Sequence, residues 1–248
     1  MGAMISSKSS HQKENKPGAS SSIGWRALLR FALYLILTPL PLFVAAGRVN
    51  WTMAWIFFGL NVTFTIFSRL IAYRKNPAVL MERAQSLEAE NVKEWDKGLV
   101  LIVALIGPIS IFVVAGLDLR FSWLPEVALS WQIAGLILVV LGYTFGSWAL
   151  IANAYFSAVV RIQAERGHTV IREGPYRYVR HPAYASSIVT FLAFPLMLAS
   201  LWALIPAVFT ILAVILRTSL EDRTLLDELP GYYQYAQETR YRLLPGVW

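Results

Sequence analysis

The chain has 248 residues, of which 56% are hydrophobic and 15% charged, and it carries a formal net charge of +7. That balance is too apolar for a soluble protein of this length, and it assigns the excess of Lys and Arg to loops beside anionic lipid rather than to nucleic acid. The absence of cysteine excludes disulfides, thiolate zinc sites, iron–sulfur clusters and a cysteine nucleophile.

Residues 1–22 are polar and low in complexity, and are read as a disordered tail. Residues 23–248 are read as a single integral-membrane domain. A hydrocarbon core of about 30 Å needs about 20 helical residues, and four apolar runs meet that length at 25–46, 51–72, 98–116 and 130–152. Pro39 and Pro41 predict a kinked or frayed end for the first of them. Between the second and third lies 73–97, whose alternating charge predicts either a surface helix or a solvated connector. The run 184–218 is apolar for 35 residues. As one helix it would extend about 52 Å, longer than a bilayer allows even with tilt. A hairpin near Ala199 and Ser200 resolves this into two shorter helices, with Pro195 and Pro206 on either side.

The expected fold is therefore all-α: a polytopic membrane helical bundle of about six crossings that ends in a helical hairpin. Twenty of the 22 Lys and Arg residues then fall on one side, and only Arg48 and Arg120 on the other. The positive-inside rule places that side, with both termini, in the cytoplasm.

The polar sequence is dense in two blocks, 153–184 and 217–248, which flank the hairpin. A hairpin returns the chain to the same membrane face, so the blocks can meet and form one composite cytoplasmic pocket. This makes 153–248 the expected catalytic part. Within Arg180-His181-Pro182-Ala183-Tyr184, Pro182 biases His181 towards extended geometry just before a helix starts. The free N–H groups of such a helix start suit an anion. A basic interfacial loop with aromatic anchors explains the same residues. Arg217 and Glu221 are four apart and share a helix face. They either snorkel to the membrane surface or hold a cation or a ribose at a pocket. No HExxH or other tight ligand spacing is present, and no metal is expected.

Several stretches together resemble the isoprenylcysteine carboxyl methyltransferase family and its phospholipid methyltransferase relatives. They are Asn76-Pro77 with Glu82-Arg83, Val160-Arg161-Ile162-Gln163 with Arg166-Gly167-His168, and Gly174-Pro175-Tyr176-Arg177 leading to Arg180–Tyr184. Arg217, Glu221-Asp222, Leu225, Gly231-Tyr232, Tyr235 and Tyr241-Arg242-Leu243-Leu244-Pro245-Gly246 complete the pattern. The resemblance covers about residues 70–248. It implies a membrane methyltransferase that uses S-adenosyl-L-methionine without a Rossmann domain. It implies cofactor contacts from Gln163, His168, Gly174, Tyr176, His181, Pro182, Tyr184, Glu221 and Tyr232, and catalytic roles for Arg217, Glu221 and Arg180. Ser186 replaces the glycine that the family motif usually carries two residues after its tyrosine, so it is expected either to loosen the backbone approach to cofactor or to donate a hydrogen bond.

The implied partners are membrane lipid and a lipid-like or small methyl acceptor bearing a carboxylate, thiol or amine. Neither nucleic acid nor an obligate protein partner is inferred. Two other readings remain. A membrane sterol or enone reductase using NADPH shares a related C-terminal architecture. A non-enzymatic transporter would place charges inside the spans, where the predicted cores hold Asn61, Thr63, Thr65, Gln132 and Ser147 but no Asp, Glu or Lys.

Overall fold

The computed structural model describes residues 38–248 apart from 87, 88, 90 and 124–126, together with residues 29, 32, 33 and 35. The expected tail at 1–22 and nine of the 22 residues of the first expected span, 25–28, 30, 31, 34, 36 and 37, lie outside the described residues. All regular structure among the described residues is helical. In chain order the helices are α1 (Leu40–Ala46), α2 (Thr52–Lys75), α3 (Pro77–Gln85), α4 (Glu94–Phe121), α5 (Leu129–Ala152), α6 (Pro182–Met197), α7 (Leu204–Glu228) and α8 (Tyr232–Glu238). Four of these, α2, α4, α5 and α7, are long and apolar enough to cross a membrane, whereas α6 is apolar but shorter. This is an integral membrane protein.

The boundaries have local causes. Asn76 separates α2 from α3: its side chain accepts the Ala78 N–H at 3.1 Å and Pro77 opens the new helix. Helix α4 begins about four residues earlier than the expected span and contains a π turn at Ile102–Ile106. The run from 184 to 218 breaks where the hairpin is expected. Helix α6 ends at Met197, Ala199 takes a φ of +58° and α7 starts at Leu204. In this turn the Ser200 N–H reaches the Pro195 carbonyl at 2.8 Å.

Helices α5 and α6 form the tightest pair, and small residues allow it. A Cβ added to Gly135 would lie 2.5 Å from the Met197 backbone, and one added to Gly146 would lie 2.5 Å from Ser186 Oγ. The Ser186 hydroxyl donates to the Gly142 carbonyl at 2.8 Å in the same seam. Midway along the bundle, Phe57, Phe112 and Phe194 pack with ring centroids 4.9–5.4 Å apart. At one end of the bundle, Arg120 lies against Gly47 and Asp118 accepts a hydrogen bond from Ser200 at 2.7 Å. The start of α4, the end of α7 and the 153–181 segment gather at the other end, where Lys93 meets both the Val160 carbonyl and Glu228.

Candidate active site

A cavity of about 330 Å³ opens at that second end. It is walled by residues from both polar blocks, 153–184 and 217–235, and by Val100, Val103 and Ala104 of α4. The hairpin does bring the blocks together.

The first wall is built on Asp222, which is fully buried. Arg180 grips it twice, Nε to Oδ1 at 2.8 Å and Nη2 to Oδ2 at 2.9 Å. Arg242 Nε donates to Oδ2 at 2.7 Å and the Tyr232 hydroxyl to Oδ1 at 2.9 Å, while His181 Nε2 lies 3.1 Å from Oδ1. The remaining Arg180 amino group caps the Thr239 and Arg240 carbonyls at 2.9 and 2.8 Å. The backbone is fastened in the same place, with Arg180 N–H to the Tyr241 carbonyl and His181 N–H to the Arg242 carbonyl, each at 2.9 Å. Pro182 opens α6, and His181 before it is non-helical, with φ −124° and a ψ of 64° that falls short of the extended geometry expected. Four of the five Arg180 guanidinium donors are thus engaged within the wall.

Arg217 is secured in a similar way. Its Nε and Nη2 meet the two oxygens of Asp96 at 2.6 and 2.9 Å, and Nη2 also donates to the Ala158 carbonyl at 2.8 Å. Asp96 is fully buried and in addition accepts the Val160 N–H at 2.7 Å. The Arg217 guanidinium stands 5.4 Å from the Tyr184 ring centroid, in cation–π range. Glu221 contrasts with both aspartates. It lines the cavity, and its hydrogen-bond partner among the described residues is the Tyr184 hydroxyl. Its carboxylate is the one in this wall that retains acceptor capacity for a bound molecule.

The remaining wall comes from 153–176. Arg161 forms a two-point ion pair with Glu82 of α3, at 3.0 and 2.8 Å, and this contact holds the Glu82 carboxyl below its usual pKa. His168 lines the cavity, packs at a tilt against Tyr155 with ring centroids 4.5 Å apart and accepts the Gln163 N–H at 3.3 Å. Burial and the neighbouring charges of Arg166 and Arg161 push its pKa down to about 4, so it is neutral at pH 7. Burial pushes the Tyr176, Tyr232 and Tyr235 phenols up, so all three remain protonated.

Of the residues singled out in the sequence, Arg180, His181, Pro182, Tyr184, Arg217 and Glu221 line this cavity, as do His168, Tyr176 and Tyr232. Three others lie behind it. Gln163 is buried, with its amide donated to the Tyr155 carbonyl at 2.7 Å. Gly174, at φ +59°, packs against Trp148, where a Cβ would come within 3.1 Å of the indole nitrogen. Ser186 faces α5. Sequence reasoning missed Asp96 and the organising role of Asp222. Among the described residues, no group of three His, Asp or Glu could hold a metal.

Residues 131–229, which run from α5 through both walls to the end of α7, match the family described as Phospholipid methyltransferase. The chain is also similar to a protein of Oryza sativa subsp. indica named "Probable protein-S-isoprenylcysteine O-methyltransferase", 34% identical over 68 residues, covering 26% of this chain and 36% of the rice protein. It is similar as well to "Methanethiol S-methyltransferase 1" of Bradyrhizobium diazoefficiens, 25% identical over 142 residues, covering 51% of this chain and 49% of that protein. The chain thus spans half or less of the length of the curated relatives it matches.

Proposed function

We propose that this protein is an integral-membrane methyltransferase that takes its methyl group from S-adenosyl-L-methionine and passes it to a lipophilic or small acceptor. The observation that carries this reading is Glu221 facing the start of α6 across one cavity, inside the segment that matches a methyltransferase family. The residues present suit the donor. The first turn of α6 suits a carboxylate through the Ala183 N–H, since Pro182 carries no N–H and the Tyr184 N–H is bonded to the His181 carbonyl. Glu221 suits an amino group or a ribose hydroxyl, and the Tyr184 and Tyr232 rings suit adenine or a sulfonium. When bound, the donor supplies an electrophilic methyl on a positively charged sulfur. The protein supplies position and exclusion of water, which are the main levers for an in-line displacement. Arg217, already neutralised by Asp96, positions the Tyr184 ring, and Tyr184 in turn orients Glu221.

The same reading gives the chain six crossings, with α6 and α7 as the last two and both the cavity and the termini cytoplasmic. The charge distribution supports it, because twenty of 22 basic residues lie on the cavity side of that arrangement.

Calorimetry on the purified protein in detergent tests the proposal. S-adenosylhomocysteine is expected to bind, and Glu221→Gln to weaken it about tenfold, or about 1.4 kcal/mol. No heat at millimolar ligand would overturn the reading, and thermal protection by NADPH in its place would favour the reductase alternative.

A further inference from the structure

Residues 242–248, Arg-Leu-Leu-Pro-Gly-Val-Trp, line no part of the cavity, yet they fold back on themselves in a way that bears on it. Leu244-Pro245-Gly246-Val247 has the pattern of a type II turn. Proline stands second, glycine stands third with a φ of +84°, and the Val247 N–H reaches the Leu244 carbonyl at 3.1 Å. A Cβ on Gly246 would meet nothing within 4 Å, so the position needs glycine for its backbone conformation and not for space. The turn reverses the chain and brings Trp248 back to Arg242. The Trp248 main-chain oxygen accepts the Arg242 and Leu243 N–H groups at 2.8 and 3.1 Å. The Arg242 guanidinium lies 4.8 Å from the Trp248 ring centroid, in cation–π range.

Arg242 is the most loosely held of the cations around Asp222. The Arg180 side chain is 7% exposed and has two nitrogens on Asp222 and a third on two carbonyls. The Arg242 side chain is 30% exposed and reaches Asp222 with Nε, on Oδ2 at 2.7 Å. A long side chain near water loses much rotamer freedom when it is held by one nitrogen, so a further contact decides how firmly it stays. The Trp248 ring supplies that contact. What Arg242 does then reaches the cavity by a short route. Asp222 Oδ1 lies 3.1 Å from His181 Nε2 and accepts the Tyr232 hydroxyl at 2.9 Å, and both of those side chains line the cavity. The Arg242 carbonyl also accepts the His181 N–H, at 2.9 Å.

Building on the methyltransferase reading, we propose that Trp248 is a positioning residue of the nucleoside site: it holds Arg242 on Asp222, and Asp222 so held sets His181 and Tyr232 at the cavity. None of 243–248 lines the cavity, so Trp248 acts on the ligand through Arg242.

The test is calorimetry of S-adenosylhomocysteine binding to the full chain in detergent, with melting temperatures read alongside. Trp248→Leu removes the ring but keeps the main-chain oxygen, and should weaken binding about fivefold. Trp248→Phe keeps a ring and should stay within about twofold of wild type. Gly246→Ala touches neither partner; it should weaken binding by straining the turn that returns Trp248. Arg242→Gln should weaken binding as much as Trp248→Leu or more, and joining the two should add nothing to Arg242→Gln alone. Simple packing at Trp248 would not give that pattern. Trp248→Leu binding like wild type, Trp248→Phe binding as weakly as Trp248→Leu, or losses that add in full would each overturn the proposal. A wild-type protein that binds no S-adenosylhomocysteine would sink the methyltransferase reading instead. Non-additive losses of melting temperature would then still support the hold of Trp248 on Arg242, and additive ones would overturn it.

Discussion

The two ends of the helix bundle use buried acids differently. At the end that carries the cavity, Asp222 and Asp96 each tie segments far apart in sequence, Asp222 to Arg180, His181, Tyr232 and Arg242, and Asp96 to Arg217 and Val160. At the other end, Asp118 is also buried, but its hydrogen bond is from the hydroxyl of Ser200 beside the hairpin turn. A buried carboxylate in one place assembles a site, and in the other it fastens a turn. Burial alone therefore does not distinguish these carboxylates, and neither does sequence separation, since Ser200 is 82 residues from Asp118; the number of partners does.

That contrast can be broken experimentally. The largest effect is expected from Asp222→Ala, which strands Arg180 and Arg242 without their counter-charge. The loss should be about 3–5 kcal/mol, read as a lower melting temperature in detergent, with S-adenosylhomocysteine binding lost. Asp96→Asn comes next. It leaves Arg217 buried beside a neutral amide, and a loss of about 3 kcal/mol is expected, with weaker nucleoside binding even where the protein remains folded. If Asp96→Asn melts and binds like wild type, the α4 contact is not part of the site.

Smaller effects sharpen the comparison. Glu221→Gln should weaken the ligand about tenfold while leaving the melting temperature in place, because Glu221 pins no cation. His168 adds a pH dependence. The unfolded imidazole takes up a proton near pH 6.5 and the folded one only near pH 4, so the unfolded state binds more protons between these values. Stability should be flat above pH 6.5 and fall as pH drops through that window, and His168→Gln should flatten the fall. Asp118→Asn is expected to do least, about 1–2 kcal/mol of melting stability with unchanged ligand affinity.

Much of this arrangement was legible in the sequence. An apolar run too long for one crossing forced a hairpin, and a hairpin forced the flanking polar blocks onto one face. The two walls of the cavity follow from that, and so do Arg180–Tyr184 and Arg217–Glu221 within them. What was not legible depends on pairings across long sequence separations. Asp96 lies in a stretch of alternating charge that looks solvated, and its partner is 121 residues away. The surplus of basic residues nearby gave no sign of which one would claim it. Ser186 was expected to loosen the backbone approach to cofactor or to donate a hydrogen bond because it stands where the motif it resembles usually has glycine. Its place on the helix turns the side chain onto Gly142 of α5 instead. The π turn left no trace, because its residues are all apolar and periodicity does not distinguish it from ordinary helix.

The stretch 239–242 has a bearing on how the protein is made. Its carbonyls receive the Arg180 guanidinium and the backbone of Arg180 and His181, and Arg242 completes the ring around Asp222. The apolar helices among the described residues precede it, so they can enter the bilayer before residue 239 leaves the ribosome, whereas the wall built on Asp222 cannot close until after. A chain stopped after α7 would lack the carbonyls that receive Arg180 and the Arg242 contact to Asp222, so the wall they brace would be left open until residues 239–242 fold back onto it.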